Sequence, residues 1–272
     1  MIAKAVFTDL DGTLLNHDDY SYADALPAIE FLRNNHIPLI LVSSKTRAEM
    51  ADLCRELSIT DPYVCENGSV IVLPKPWVAE FGVDTESLAE QSDCYLAYRG
   101  ADRAAILSIL KPLKSQFQFA GFSDMDVADV IDCTGLSEPA AMNAMRRDAT
   151  EPLLWHSDGA LLEQFAQFLG ESKLQLLKGG RFYHVMAQCD KGDAVRYLLN
   201  IYQSHIGARV RSIALGDSQN DLKMLKAVDQ AVVMPHPDGS YMSDKDLKGE
   251  LHAPYMGAKG WRAGVEQALL QL

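Results

Sequence analysis

The 272-residue sequence contains no long apolar run. Its longest apolar stretches, such as Ile37 to Val42, fall far short of the ~20 residues that span a bilayer, so no membrane segment is expected. The early run Ala5-Val6-Phe7 is interrupted by Asp9 and Asp11, which leaves no apolar core for an export signal. Cysteines are few and odd in number: Cys54, Cys65, Cys94, Cys133 and Cys189 form no closely spaced pair of the zinc or redox kind. They read as buried free thiols, and the reading places the chain in a reducing cytoplasm. Positive charge is also short. With 25 basic against 37 acidic residues, the net charge is −12, which argues against a nucleic-acid partner. There are no internal repeats and no low-complexity tracts. What remains is a composition of 48% hydrophobic and 23% charged residues, that of a globular chain of one large or two smaller domains. An acidic protein that handles a phosphorylated molecule needs a metal or a local basic cluster to offset repulsion, a first hint of a divalent cation.

Patterning gives the fold class. Buried strands are expected at residues 3–8 and 37–42, with helices at 24–35 and 46–57 between and after them. A short strand at Tyr63-Val64-Cys65 and a hairpin-like strand at 69–73, after Asn67-Gly68, complete the first half. Pro74-Lys75-Pro76 then breaks the pattern, and a polar stretch runs to Asp93. Residues 95–186 mix short strands and helices. From Asp190 the alternation resumes: helix 191–206, strand 212–215, helix 220–227, strand 230–234 and a last helix over about 260–271. Strands alternating with helices imply an α/β, doubly wound, Rossmann-like parallel-sheet core. The expected division is a core of residues 1–83 and 187–272, with an inserted α+β cap over 84–186.

Four segments carry chemistry. Asp9-Leu10-Asp11-Gly12-Thr13 follows a buried strand, so two carboxylates leave a strand end where α/β sheets bind ligands. The same residues also suit a simple Asx turn. Gly216-Asp217-Ser218-Gln219-Asn220-Asp221 follows a second apolar strand and supplies more oxygen donors. A hard cation such as Mg²⁺ would suit Asp9, Asp217 and the carbonyl of Asp11. Lys191 opens a helix, where the positive end of the macrodipole disfavours it unless a phosphate or aspartates lie near. Ser43-Ser44-Lys45-Thr46 follows the second strand at a helix N-terminus and could hold an anion or serve as a helix cap.

In order and combination, these segments resemble the haloacid dehalogenase superfamily of phosphatases. The resemblance is carried by Asp9 to Thr13, Ser43, Lys191 and Gly216 to Asp221, and it covers roughly residues 1–80 and 185–272. It implies that Asp9 attacks phosphorus and forms an aspartyl-phosphate. Asp11 then acts as general acid and base, while Ser43 and Lys191 hold phosphoryl oxygens. Mg²⁺ would be bound by Asp9, Asp11 and Asp217, with Asn220 and Asp221 behind it. The inserted block, together with Glu66-Asn67-Gly68, resembles the branch that includes sugar phosphatases. Ser43 to Glu49, Thr134-Gly135-Leu136, Arg147 to Pro152 and Gly180 to His184 are similar to segments of mannosyl-3-phosphoglycerate phosphatases, although those more often have Ser where this chain has Thr150.

That likeness implies hydrolysis of mannosyl-3-phosphoglycerate, with glucosyl-3-phosphoglycerate, sucrose phosphate or a hexose phosphate as alternatives. A substrate with a carboxylate as well as a phosphate calls for extra cations. Lys45, Arg47, Arg181, His184 and Arg147 are the candidates, and Ser44 and Asn67 are further substrate-contact candidates. A non-catalytic phospho-ligand sensor would have lost one of Asp9, Asp11, Lys191 or Asp217, and a receiver-type domain would need neither Asp11 nor the inserted block. The expected assembly is a monomer or homodimer.

Overall fold

The computed structural model describes residues 3–179, 181–247 and 249–272. The first half of the chain runs β1 (Lys4–Thr8), α1 (Leu26–Asn34), β2 (Leu39–Leu41), α2 (Arg47–Glu56), β3 (Tyr63–Cys65), β4 (Val70–Pro74), α3 (Lys75–Phe81), β5 (Ala89–Glu90) and β6 (Cys94–Tyr98). An inserted unit follows, with α4 (Arg103–Leu113), β7 (Phe119–Gly121), α5 (Val127–Thr134), α6 (Glu138–Met145), β8 (Thr150–Trp155), α7 (Ala160–Glu171), β9 (Leu174–Lys178) and β10 (Tyr183–Ala187). The chain returns through α8 (Lys191–Ile206), β11 (Arg211–Gly216), α9 (Leu222–Leu225), β12 (Gln230–Val233), β13 (Leu251–His252) and α10 (Gly257–Gln271).

The central sheet has the order β13-β12-β11-β1-β2, and every pairing in it is parallel. The middles of its inner strands are apolar because helices cover both faces. Val6, Leu41, Ile213 and Leu215 pack against Ile29 and Leu32 of α1, Met50 of α2 and Trp261 and Val265 of α10. The alternate residues Ala5, Phe7, Ile40 and Ala214 pack on the other side with Trp77 of α3, Val195 and Leu198 of α8 and Leu225 of α9. This is the doubly wound α/β core that the alternation implied. A parallel bridge between Val42 and Val64 joins β2 to an antiparallel sheet of order β3-β4-β6-β5. The inserted unit has its own antiparallel sheet, β7-β8-β10-β9, and a separate apolar centre built on Ile106, Phe165, Leu153 and Val185.

Three local departures from the sequence reading have physical causes. Pro74-Lys75-Pro76 opens helix α3 instead of ending structure, because Pro76 lies in the first turn, where its missing N–H is not needed. Strand β6, read as part of the inserted block, pairs along the length of β4 and buries Leu96 in the core. We propose crossing points near Arg99–Asp102 and Gln188–Asp190, in place of 83/84 and 186/187. Helix α10 begins at Gly257 instead of about 260, where Asn16 Oδ1 accepts the N–H of Ala258 at 3.1 Å. All five cysteines are free thiols, and Cys54, Cys65, Cys94 and Cys189 are buried. Among the described residues, no helix is long and apolar enough to cross a membrane.

Trp261 links the far side of the core to the strand end that carries the chemistry. Its Nε1–H donates to Thr8 Oγ1 at 2.8 Å, and that hydroxyl donates to the carbonyl of Asp9 at 2.7 Å. Trp261→Phe therefore removes a fully buried hydrogen bond next to Asp9, at an expected loss of about 1–3 kcal/mol in urea unfolding.

Candidate active site

The ends of β2, β1 and β11 lie side by side, so the segments that follow them converge. Asp9 continues the pairing of β1, its N–H donating to Leu215 O at 3.0 Å. The chain then turns tightly: the N–H groups of Thr13 and Leu15 both donate to Leu10 O. Gly12 makes this turn with φ +78, and a Cβ there would also lie 3.1 Å from Asp217 Oδ2. Glycine thus serves both the backbone conformation and the approach of the Asp217 carboxylate.

Lys191 is the first residue of α8 and is fully buried. Its ammonium donates to Asp9 Oδ1 and to Asp221 Oδ1, each at 2.6 Å. The two carboxylates supply the negative charge that a lysine at this helix end requires. Burial works against the ammonium, but Asp221 and Asp9 outweigh it and hold its pKa above the usual lysine value. Asp221 is itself anchored: its Oδ2 accepts from the N–H groups of Asp217 and Ser218 at 3.1 and 3.0 Å.

Asp9, Asp217 and Asp221 place carboxylate oxygens within 4.8 Å of one another. Burial, then the charge of Asp221, pushes the Asp9 carboxyl up. The same two causes raise Asp217 to about 6, against the opposing hydrogen bond from Thr13 Oγ1 at 3.1 Å. Acids crowded in this way are the environment that a divalent cation relieves. Asp11, expected with them, is not among the three carboxylates brought together; its Oδ1 is buried without a hydrogen-bond partner and its Oδ2 pairs with Lys45. The donor set fits a hard divalent ion.

The description "haloacid dehalogenase-like hydrolase" matches residues 6–113 and 157–237, most of the chain. The chain is 36% identical over 98% of its length to a glucosyl-3-phosphoglycerate/mannosyl-3-phosphoglycerate phosphatase of Persephonella marina, of which 97% is covered. It is 37% identical over 96% of its length to a protein of the same name from Methanococcoides burtonii, of which 95% is covered.

The chain belongs to the haloacid dehalogenase-like hydrolases.

It is a phosphatase of that superfamily. Its fold is similar to that of a Thermoplasma acidophilum protein, with a TM-score of 0.67 at 14% identity over 99% of this chain and 100% of the other. It is also similar to the sucrose-phosphatase of Synechocystis, with a TM-score of 0.59 at 16% identity over 100% and 98% of the two chains.

In this haloacid dehalogenase-like hydrolase, Ser43 is buried, its N–H donates to Val64 O, and its carbonyl accepts the N–H of Asn67, both at 2.9 Å. Thr46 is the cap of α2, with Glu49 completing a capping box, so the Ser43–Thr46 segment is a helix cap as well as a strand end. Lys45 pairs with Asp11 Oδ2 at 2.9 Å. Asn67 Oδ1 accepts from Asn220 Nδ2 at 3.1 Å, which ties the turn after β3 to the loop after β11.

Beside these residues is a cleft of about 360 Å³ between core and inserted unit, lined by Ser44, Asn67, Asn220, Gln219, Lys178 and His184. His184 faces it as a neutral ring: burial, then Arg147, pushes its pKa down to about 3, and its Nδ1 is buried without a partner. Burial and Arg147 thus oppose the positive charge expected of it. Three arginines are committed elsewhere. Arg181 donates to the carbonyls of Cys133 and Thr134 at the end of α5 and is not brought to the cleft. Arg47 pairs with Asp148 at 3.1 Å, and Arg147 donates to Ser44 O and Thr150 Oγ1. Gly180 lies outside the described residues. Sequence reasoning missed Lys178, the cation that does line the cleft, because at the end of β9 it reads as a surface lysine.

Proposed function

We propose that this phosphatase is Mg²⁺-dependent and hydrolyses a glycosyl-3-phosphoglycerate, mannosyl- or glucosyl-, through an aspartyl-phosphate on Asp9. The observation that carries the reaction type is the Asp9 carboxylate, which has Oδ1 fixed by Lys191 at 2.6 Å and Oδ2 left to react. Asp9 attacks phosphorus, forming an O–P bond as the bond to the leaving alkoxide breaks. Asp11 gives that alkoxide a proton. It then takes one from the water that attacks phosphorus, and phosphate leaves as Asp9 is freed. Lys191 and the Ser43 hydroxyl hold the phosphoryl oxygens. Asp9 and Asp217, with Asp11, would hold the cation, whose charge offsets that of the phosphoryl group.

The substrate reading rests on near full-length likeness to the two relatives named for such compounds. Lys178, which lines the cleft, is the cation we assign to the glycerate carboxylate, while Lys45 is held by Asp11. A panel of mannosyl- and glucosyl-3-phosphoglycerate, sucrose phosphate and hexose phosphates, followed by phosphate release, tests it. Much faster turnover of a simple hexose phosphate would sink the substrate assignment and leave the phosphatase intact.

The metal assignment has a pH signature. The raised carboxyl of Asp217 contributes stability that is present at low pH and lost as pH rises through about 6. A bound cation restores it, so Mg²⁺ should raise Tm by several degrees at about pH 8 and by clearly less at about pH 5. Melting curves with Mg²⁺ and with chelator at both pH values check this. An equal gain at both would count against Asp217 as a ligand.

A further inference from the structure

Glu66, Asn67 and Gly68 hold three successive positive φ angles, +51, +58 and +100. The third needs glycine for space as well, since a Cβ on Gly68 would lie 2.2 Å from Asp190 O, beside Lys191. The first two are left-handed at non-glycine residues, a conformation that persists only where surrounding contacts enforce it. For Asn67 those contacts are Ser43 O and Asn220, both within the core. For Glu66 they lie elsewhere.

Glu66 is a core residue, fully buried, with its N–H bonded to Lys45 O at 3.0 Å. Its carboxylate reaches into the inserted unit. There it accepts the N–H of Asp148 at 2.7 Å, the N–H of Ala149 at 3.2 Å and the hydroxyl of Thr150. A buried carboxylate demands such donors, and here three consecutive residues of the inserted unit provide them. Around it, Thr46 Oγ1 donates to Asn143 O at 2.9 Å and Arg47 pairs with Asp148 at 3.1 Å. None of these groups has a role in the phosphoryl chemistry.

We propose that Glu66 is a positioning residue that clamps residues 148–150 of the inserted unit onto the turn carrying Asn67, and so sets the place of His184 and Lys178 over the reacting phosphate. The clamp acts on substrates whose leaving group fills the cleft and is indifferent to small ones. It rests on the phosphatase activity and not on the identity of the sugar.

The test uses Mg²⁺-loaded enzyme, the phosphorylated sugar turned over fastest in the panel above, and p-nitrophenyl phosphate. Glu66→Gln keeps the shape but turns an N–H₂ toward backbone donors. Its KM for the sugar substrate should rise at least about fivefold while kcat/KM for p-nitrophenyl phosphate stays within about twofold. Hydrogen exchange at the amides of Asp148 and Ala149 should quicken at least about tenfold. Thr150→Val removes one donor from the other side and should shift both readouts in the same direction by less. Equal loss on both substrates, or unchanged exchange at Asp148 and Ala149, overturns the proposal. If Glu66→Gln does not fold, Thr150→Val decides alone, and an unchanged KM and exchange in that variant overturn it.

Discussion

Asp9→Asn should lower turnover of every substrate by at least about 10⁴-fold, because a carboxamide cannot take up the phosphoryl group. The variant should nonetheless fold. Asparagine has nearly the same shape, and its amide oxygen can still accept from Lys191. The native carboxyl is pushed up by burial and then by the charge of Asp221, so a neutral group at this position relieves repulsion in the metal-free protein. Thermal melts in chelator should show Asp9→Asn at least as stable as the parent, and phosphate release with Mg²⁺ should show almost none. Intact-mass analysis of quenched parent enzyme should show an added phosphoryl group that the variant lacks. A variant that keeps more than about a hundredth of parental kcat/KM would remove Asp9 from the nucleophile's role.

Lys191→Met should damage both fold and reaction. The ammonium is fully buried between Asp9 and Asp221 at 2.6 Å from each, so its removal leaves two carboxylates without their cation. Breaking a buried pair from one side costs about 3–5 kcal/mol. For a chain of this size that corresponds to a fall in Tm of roughly 10 °C. The sign of the pH dependence follows from Asp9. Without Lys191 its folded pKa rises further above the unfolded value, so the protonated form stabilises the fold at low pH and that contribution is lost as pH rises. The Tm deficit of Lys191→Met should therefore be small at about pH 5 and large at about pH 8. A deficit that did not change with pH would mean that the lysine acts through packing alone.

Much of the core could be read from the chain because the determining patterns are local. Apolar strands followed by acidic turns gave β1 and β11, and the Ser43–Thr46 segment, open to reading as a helix cap, holds the cap of α2. Lys191 was legible as an anomaly, a cation at the wrong end of a helix, and the structure supplies the two aspartates that such a placement requires. What escaped was decided at long range. Strand β6 looks like any edge strand until β4 is set beside it. Glu66 sits in a sequence that reads as a turn, and its partners lie 82 to 84 residues further on. Arg181 suits a carboxylate by type, yet two helix-end carbonyls lie closer. The neutral state of His184 depends on burial and on Arg147, neither of which its own segment reveals.

The pairing of β1 with β11 brings Lys4 beside Arg211 and Thr8 beside Leu215, across the whole inserted unit. Asp9 and the lysine that holds it, Lys191, thus meet only when a very long loop has closed. Closing it directly would be entropically costly and slow, as sheet pairings distant in sequence are. The inserted unit has its own sheet and apolar centre, so folding it first shortens the effective gap from some two hundred flexible residues to the distance between the two crossing segments, where Gly100 lies against Ala187. The insertion, described above as a wall of the substrate cleft, is on this view also the splint on which the two halves of the active site are joined.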